Sequence, residues 1–400
     1  MNAYCSKILV LICTTLQLGA QTPPTLTVED AVARGLARPE QAALLDGRLA
    51  AAEATALAMR TRDNPELSVG TEQLSPGGVD SRETTLLVSQ RLELFGARAH
   101  RARAADHETA ATAYRNQAER RDTETLIRAL FYEVLYLQAR VAALADWLHE
   151  AGDIARMVTL REQAGEVSGY DRRRLARELA EAEALIAGDR ALHAARWEEL
   201  RTLLALDAPH TLVGPLLPPT TPEPDPAAHP ALRALDEMRA AAEQREASLR
   251  HGGFSEITLE AGLKNTRIAG DADTGLVVSA RLPLPLFNRK RGARLHARAQ
   301  AATARGEKAL AVSRATGRMR ALQAQIRVQR AATETYRVQA GEASRELVRI
   351  SRIAYREGEL DLPGLLEAYR TRRDADLKLL AMEADIRGLT LELARVGGGK

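Results

Sequence analysis

No proline interrupts the chain between Pro76 and Pro209, or again between Pro285 and Pro363. Proline breaks a helix by removing an amide donor and clashing with the preceding turn, so two long runs without one permit helices of unusual length. From Ala97 to Gly165 is about 68 residues, roughly 100 Å if helical throughout. Ordinary helices average about three turns, so these lengths describe rods. Within the first run Ile127, Leu130, Val134, Leu137, Val141, Leu144 and Leu148 alternate by three and four, the spacing of a coiled seam. Composition agrees: aromatics are 4 % while alanine, leucine, arginine and glutamate dominate, which favours long helices over a thick aromatic core.

The two runs occupy equivalent places in a repeated unit. "RPEQAALLDGRLAAAEATA" from Arg38 matches "HPALRALDEMRAAAEQREA" from His229 at an offset of 191, Phe95 matches Phe287 at 192, and Gly165 matches Gly358 at 193. Two copies are too few for a solenoid, which predicts a pseudo-symmetric pair, residues 21–208 and 231–400. Each copy reads as a helix, a β-hairpin (about 65–95 and about 255–287), a very long helix, a turn (near 165 and near 358) and a return helix. The return arms, Tyr170–Leu206 and Leu362–Val396, are about half as long as the rods, so each needs an end-to-end partner. The short helices Leu26–Arg60 and Ala227–His251 have the length to serve. Residues 209–230 join the copies and hold eight of the sixteen prolines, a semi-rigid extended connector.

Residues 1–20 read as an export signal: Lys7, an apolar run from Ile8 to Leu18, and small residues Gly19-Ala20 before Gln21. The run is too short for a transmembrane helix. Cys5 and Cys13 both lie within residues 1–20, and Ile12 is too large for a good lipoprotein site, so the processed chain is expected to form no disulfide and no thiolate metal site. No later stretch approaches 18 consecutive apolar residues; if the chain enters a membrane it must do so as strands. Net charge is +3 with acids and bases interspersed, which gives no bias toward nucleic acid.

Before each rod the hydrophobic period changes from 3.6 to 2. Leu67, Val69 and Thr71 oppose Glu66, Ser68, Gly70 and Glu72; Ile257, Leu259, Ala261 and Leu263 oppose Glu256, Thr258, Glu260, Gly262 and Lys264. The returning strands put Leu86, Val88, Leu92 and Leu94 against Ser89, Arg91 and Glu93, and Leu276, Val278, Ala280 and Leu282 against Ser279 and Arg281. Strands of roughly ten residues with one apolar and one charged face fit a transmembrane barrel with a wet interior, in which Ser89, Arg91, Ser279 and Arg281 face the lumen. A soluble sandwich edge is the alternative. Four strands leave open edges that lipid cannot satisfy, so the barrel reading requires closure by several subunits.

Chemical motifs are lacking. There is no Gly-rich phosphate loop, nucleophile elbow or histidine pair at ligand spacing, and "GDADTG" (Gly270–Gly275) lacks the later acid of a calcium loop. The sequence predicts no catalytic residue, metal site or cofactor, and no enzyme.

The duplicated hairpin-plus-rod layout, the strand exit "LPLPLFNRKRG" (Leu282–Gly292) with its echo "LELFGARAHR" (Leu92–Arg101), and the tip turns "AGEVSGYD" and "REGELDLPG" resemble the TolC-like outer-membrane efflux channels, in particular the shorter, CzcC-like members of cation-efflux systems. The resemblance covers Leu26–Val396. It implies an α+β membrane protein, a homotrimer in which four β-strands per protomer close a 12-stranded transmembrane β-barrel in outer-membrane lipid, continued by a tunnel of long α-helical hairpins through the periplasm. It implies a passive exit duct for an inner-membrane pump of the RND type and a periplasmic adaptor (membrane fusion protein), carrying heavy-metal cations, with no nucleic-acid partner. A periplasmic coiled-coil adaptor or scaffold without a channel is the competing reading, but such proteins carry one hairpin flanked by small β-domains. Arg289, Lys290 and Arg291 then stand near the inner-leaflet boundary or the tunnel mouth, or form a solvated basic turn.

The resemblance also implies roles for the tips. Gly165, Glu166, Val167 and Ser168, with Gly358, Glu359, Leu360 and Asp361, dock the adaptor. Asp171 and Tyr355 take the places of a gating hydrogen bond, although Leu360 replaces the family's assisting arginine; helix N-terminal capping is the alternative role for Asp171. Glu367 takes one of two acidic constriction positions, and Gly364 leaves the other empty.

Overall fold

The computed structural model describes residues 24–75, 77, 80–218, 225–250, 256–268 and 270–397. The export signal lies outside them. The elements run β1 (Thr25–Leu26), α1 (Val28–Leu36), α2 (Pro39–Arg60), β2 (Glu66–Leu74), β3 (Ser81–Glu93), α3 (Ala97–Gln163), α4 (Gly169–Leu204), β4 (Thr211–Leu212), α5 (Pro230–Ser248), β5 (Glu256–Ile268), β6 (Asp271–Arg281), α6 (Arg291–Tyr336), α7 (Ala343–Glu357) and α8 (Leu362–Gly397).

The first rod, α3, is one helix of 67 residues. Its predicted seam is buried at Ile127, Val134, Leu137 and Leu144 and half-buried at Leu130, Val141 and Leu148. The second rod, Arg291–Glu357, is equally long but not uniform: Arg337–Glu342 forms a π turn between α6 and α7. Seam positions explain it. Met319, Ile326 and Thr333 are seven apart, as are Gly341, Val348 and Tyr355, but Thr333 and Gly341 are eight apart. One extra residue entered the seam, and a π turn absorbs it without breaking the rod.

The expected end-to-end stacking is present. α3 packs along α2 and α4 as well as α5 and α8, and α6 packs along α5 and α8. Where α2 begins, α4 ends: Arg38 Nη1 donates to the Thr202 carbonyl at 3.0 Å. The expected single helix Leu26–Arg60 is instead β1, α1 and α2. Arg38, preceding a proline, is extended, and Pro39 opens α2 with its φ preset.

β2, β3, β5 and β6 form one antiparallel sheet in that order. Its register stacks Leu67, Val88, Ala261 and Val278 in one row and Val69, Leu86, Leu263 and Leu276 in another. The large side chains of both rows are exposed, Leu276 at 75 %. Among the described residues no second sheet covers this face, as one would in a sandwich.

A waist belts the rods midway. β1 pairs in parallel with β4, at the start of the connector, and Leu26, Val28, Val32, Leu212 and Leu216 join Ile127, Phe131, Val134, Leu200 and Leu204 in one core. Each such burial contributes about 1.5–3 kcal/mol. Arg387 of α8 clamps the belt: its Nε donates to the Leu216 carbonyl at 2.8 Å, its Nη2 to the Pro215 carbonyl at 2.6 Å, and its guanidinium stands 3.9 Å from the Tyr132 ring centroid. Arg387→Met leaves two carbonyls unpaired, at about 1–3 kcal/mol each. Limited proteolysis is expected to cut the connector faster in this variant while the rods stay resistant; an unchanged cleavage rate would show that the clamp is dispensable.

Candidate functional site

Two regions bear on function: the polar face of the sheet and the paired hairpin tips. On the sheet, Glu66, Ser89, Glu260 and Ser279 form one cross-strand row, and Arg91, Thr258 and Arg281 the next. All four residues expected in a lumen therefore share one face. Their charges are matched locally. Ser279 Oγ donates to Glu260 Oε2 at 2.7 Å, Arg281 lies 3.2 Å from Glu260, and Arg91 lies 2.6 Å from Asp63. Lys264 and Glu83, 2.6 Å apart, extend the same face. Leu87 and Val277, opposite Gly262, interrupt it. Backbone alternation makes this face; mixed charges keep it wet without a strong single sign.

Both tips are built alike. Gly165 and Gly358 adopt left-handed backbone, φ 77° and 78°. Each rod ends in the same paired bonds: Glu166 N to Arg161 O (2.8 Å) with Gly165 N to Glu162 O (2.9 Å), and Glu359 N to Ala354 O (2.8 Å) with Gly358 N to Tyr355 O (3.4 Å). This double closure needs a residue tolerant of positive φ, which is why glycine stands at both places. Val167 and Leu360 then tuck against a common core of Ile154, Val158, Leu175, Val348, Leu365, Leu366 and Tyr369. Ser168 and Asp361 cap the returning helices, accepting from Asp171 N at 3.3 Å and Gly364 N at 2.9 Å. Glu166, Ser168, Glu359 and Asp361 are exposed.

The gate positions are not bonded to one another in this chain. The Asp171 carboxylate accepts from Ser168 Oγ at 2.8 Å, which is the capping role. Tyr355 is buried, and its hydroxyl has no partner. Arg161 stands 5.0 Å from its ring centroid, supplying a cation near the position where the assisting arginine is missing. Glu367 is exposed, 3.5 Å from Arg370.

Arg370 belongs to an ion pair that the sequence reading missed. Its Nε donates to Glu178 Oε2 at 2.9 Å, and a second nitrogen bonds Glu178 Oε1. Glu178 is buried. A signal existed: Leu175, Glu178, Ala182 and Ile186 are the buried positions along the tip half of α4, with a charge where the period demands an apolar residue. The Arg370 guanidinium holds the Glu178 carboxyl below the usual carboxylate range. Because the folded-state value lies below the unfolded one, this stabilisation is complete above about pH 4.3 and is lost as the pH falls through the depressed value. Trp147 reports on the same layer, donating to the Tyr369 carbonyl at 3.1 Å. Glu178→Gln is expected to cost about 3 kcal/mol at pH 7 and to flatten the acid dependence of unfolding followed by Trp147 fluorescence; a variant as stable as the parent at both pH 7 and pH 4 would show that the pair contributes nothing.

Among the described residues no group of side chains could hold a metal ion, and no helix is long and apolar enough to cross a membrane.

Residues 41–206 match the outer membrane efflux protein family. No curated protein matches the sequence. Solved structures share the fold over 93 % of this chain: the CmeC outer membrane channel of Campylobacter jejuni (TM-score 0.76, 14 % identity, 85 % of that chain), the outer membrane protein VceC of Vibrio cholerae (0.73, 18 %, 96 %) and the open-state MtrE outer membrane channel of Neisseria gonorrhoeae (0.75, 17 %, 89 %). The family match takes in less than half of the chain, residues 41–206, while the fold of these outer membrane channels is shared along nearly its whole length, so the chain is similar to outer membrane efflux proteins in both respects.

Proposed function

We propose that three copies of this chain close one 12-stranded barrel and one helical tunnel, forming the passive exit duct of a tripartite efflux system. The observation that carries this reading is the sheet: its apolar face is uncovered, and β2 and β6 each have one unpaired edge. In lipid an unpaired strand edge costs several kcal/mol for each backbone group, so the sheet needs another β6 against its β2. The outer helices support the same closure. Leu185 and Leu192 are exposed on α4, and Leu347, Ile350 and Ile353 on α7, as stripes left for a neighbouring subunit. The two halves are copies of one unit, which would make the threefold wall nearly sixfold.

The partners follow from the resemblance: a periplasmic adaptor at the exposed tip residues and an inner-membrane pump of the RND type, with heavy-metal cations as cargo. A latch at the tips fits the orphan hydroxyl of Tyr355, a buried donor that lacks an acceptor while Asp171 caps its own helix. Three copies of Glu367 would ring the constriction with carboxylates and favour cations.

A cation on the lipid-facing rows costs about 2–4 kcal/mol at mid-membrane. Val88→Arg and Val278→Arg are therefore expected to abolish assembly in the outer-membrane fraction, whereas Ser89→Arg and Ser279→Arg assemble. Equal assembly of all four would defeat the barrel.

The latch is read by conductance in planar bilayers. Tyr355→Phe with Asp171→Ala is expected to raise single-channel conductance, and Glu367→Gln to lower the cation-to-anion permeability ratio. Wild-type conductance in the double variant would place the latch elsewhere.

A further inference from the structure

The apolar alternation of β6 does not stop with its ladder. Leu276, Val278 and Ala280 continue as Leu282, Leu284 and Leu286, every second residue, beyond Arg281 where pairing ends. Pro283 and Pro285 carry no amide donors that would need partners, and Leu286 N donates to the Leu284 carbonyl at 2.9 Å, closing a tight turn around Pro285. Leu284 and Leu286 are exposed, and Phe287, which follows, is 98 % exposed.

Cations come next: Arg289, Lys290 and Arg291. Neither Arg289 nor Arg291 has an ion-pair partner among the described residues. A little further on the pattern differs, for Arg294 and Arg298 are both held by Glu246. The first exit repeats the design more modestly. Leu92 and Phe95 are exposed, Arg98 has no acidic partner among the described residues, and Arg101 is held by Glu93. Neither α3 nor α6 has an acid in its first turn to offset these cations. Both exits also bend through a non-glycine residue in left-handed backbone, Phe95 at φ 56° and Lys290 at φ 54°, a conformation that bulky side chains avoid unless their surroundings enforce it.

We propose that these two elbows form a lipid anchor, seating Phe287, Leu284, Leu286 and Phe95 at the inner-leaflet interface while Arg289, Arg291 and Arg98 bind the phosphates of anionic phospholipid. The proposal rests on the barrel reading above, because it continues the barrel's lipid-facing surface past the last hydrogen-bonded pair. Apolar groups in line with that surface, bordered on the periplasmic side by unneutralised cations, match an anionic phospholipid, whose acyl chain and phosphate lie in the same order. A soluble protein partner would have to match a surface that changes character within five residues.

The test uses the full chain as assembled protein in vesicles of phosphatidylethanolamine with phosphatidylglycerol, carrying brominated acyl chains or not. Phe287→Trp and Val278→Trp are compared with the parent, whose own two tryptophans set the background. Bromine quenching at both positions supports the anchor. Quenching at Val278→Trp alone overturns it and leaves the barrel standing, with Phe287 covered by a neighbouring copy or facing water. Quenching at neither overturns both. In parallel, spin-labelled phosphatidylglycerol is expected to lose about fivefold of its selectivity over spin-labelled phosphatidylcholine for each cation removed in Arg289→Gln and in Arg291→Gln, and free phosphate at equal concentration should not displace it. Selectivity unchanged by both substitutions, or competed away by phosphate, would overturn the assignment of these cations to a lipid headgroup.

Discussion

A β-strand cannot leave its backbone amides unpaired in hydrocarbon, and four strands cannot close on themselves. Everything above and below the sheet is arranged around that constraint. The apolar rows from Leu67 to Val278 and from Val69 to Leu276 are continuous across all four strands, so a neighbour's β6 against β2 would extend each row around a barrel. The rods have the same requirement in weaker form. Their inward seams are filled within the chain, while the exposed stripes of α4 and α7 are the helical counterpart of the two bare strand edges. In the proposed trimer, neighbouring copies would complete the chain at both levels.

Incompleteness demands rigidity elsewhere, and the waist supplies it. The two halves pack on one another along their length, but the chain passes between them through a proline-rich connector ill suited to long helix or strand. What ties it down is short: one parallel two-residue ladder, the leucines it buries, and the Arg387 fork on two carbonyls. A guanidinium suits this place because it satisfies two fixed acceptors and stacks on Tyr132 at once; an ammonium could not do both.

Much of this was legible in the residues. Proline spacing gave the rods, period-2 alternation gave the sheet faces, and constant offsets gave the equivalence of the tips. What escaped were features made by single residues in long-range contact. Pro39 splits the first helix by holding Arg38 extended before it, and nothing near Leu26 announces its distant partner Leu212. Glu178 and Arg370 lie 192 positions apart, and only the misplaced charge in the α4 seam hinted at them. The gate was harder still. Asp171 carries both a capping signal and a latch signal, and the single chain satisfies the cap while leaving Tyr355 without a partner.

The two tips also show how equivalent halves come to do different work. Their caps are the same, glycine and glutamate closing the rod and a short polar residue opening the return helix. At the third helical position they part: Asp171 in one, Gly364 in the other. The rods behind them part as well, since only the second contains a π turn, placed where its seam slips from seven to eight. That turn displaces the lower third of the rod relative to the upper part and delivers Gly341, Ser344, Val348 and Tyr355 to α8. With no π turn the seven-residue spacing from Thr333 would run through 340, 347 and 354, and Ala354, not Tyr355, would take the buried place. The π turn is therefore what brings the Tyr355 hydroxyl into the core shared with the first tip, where it stands without a hydrogen-bond partner.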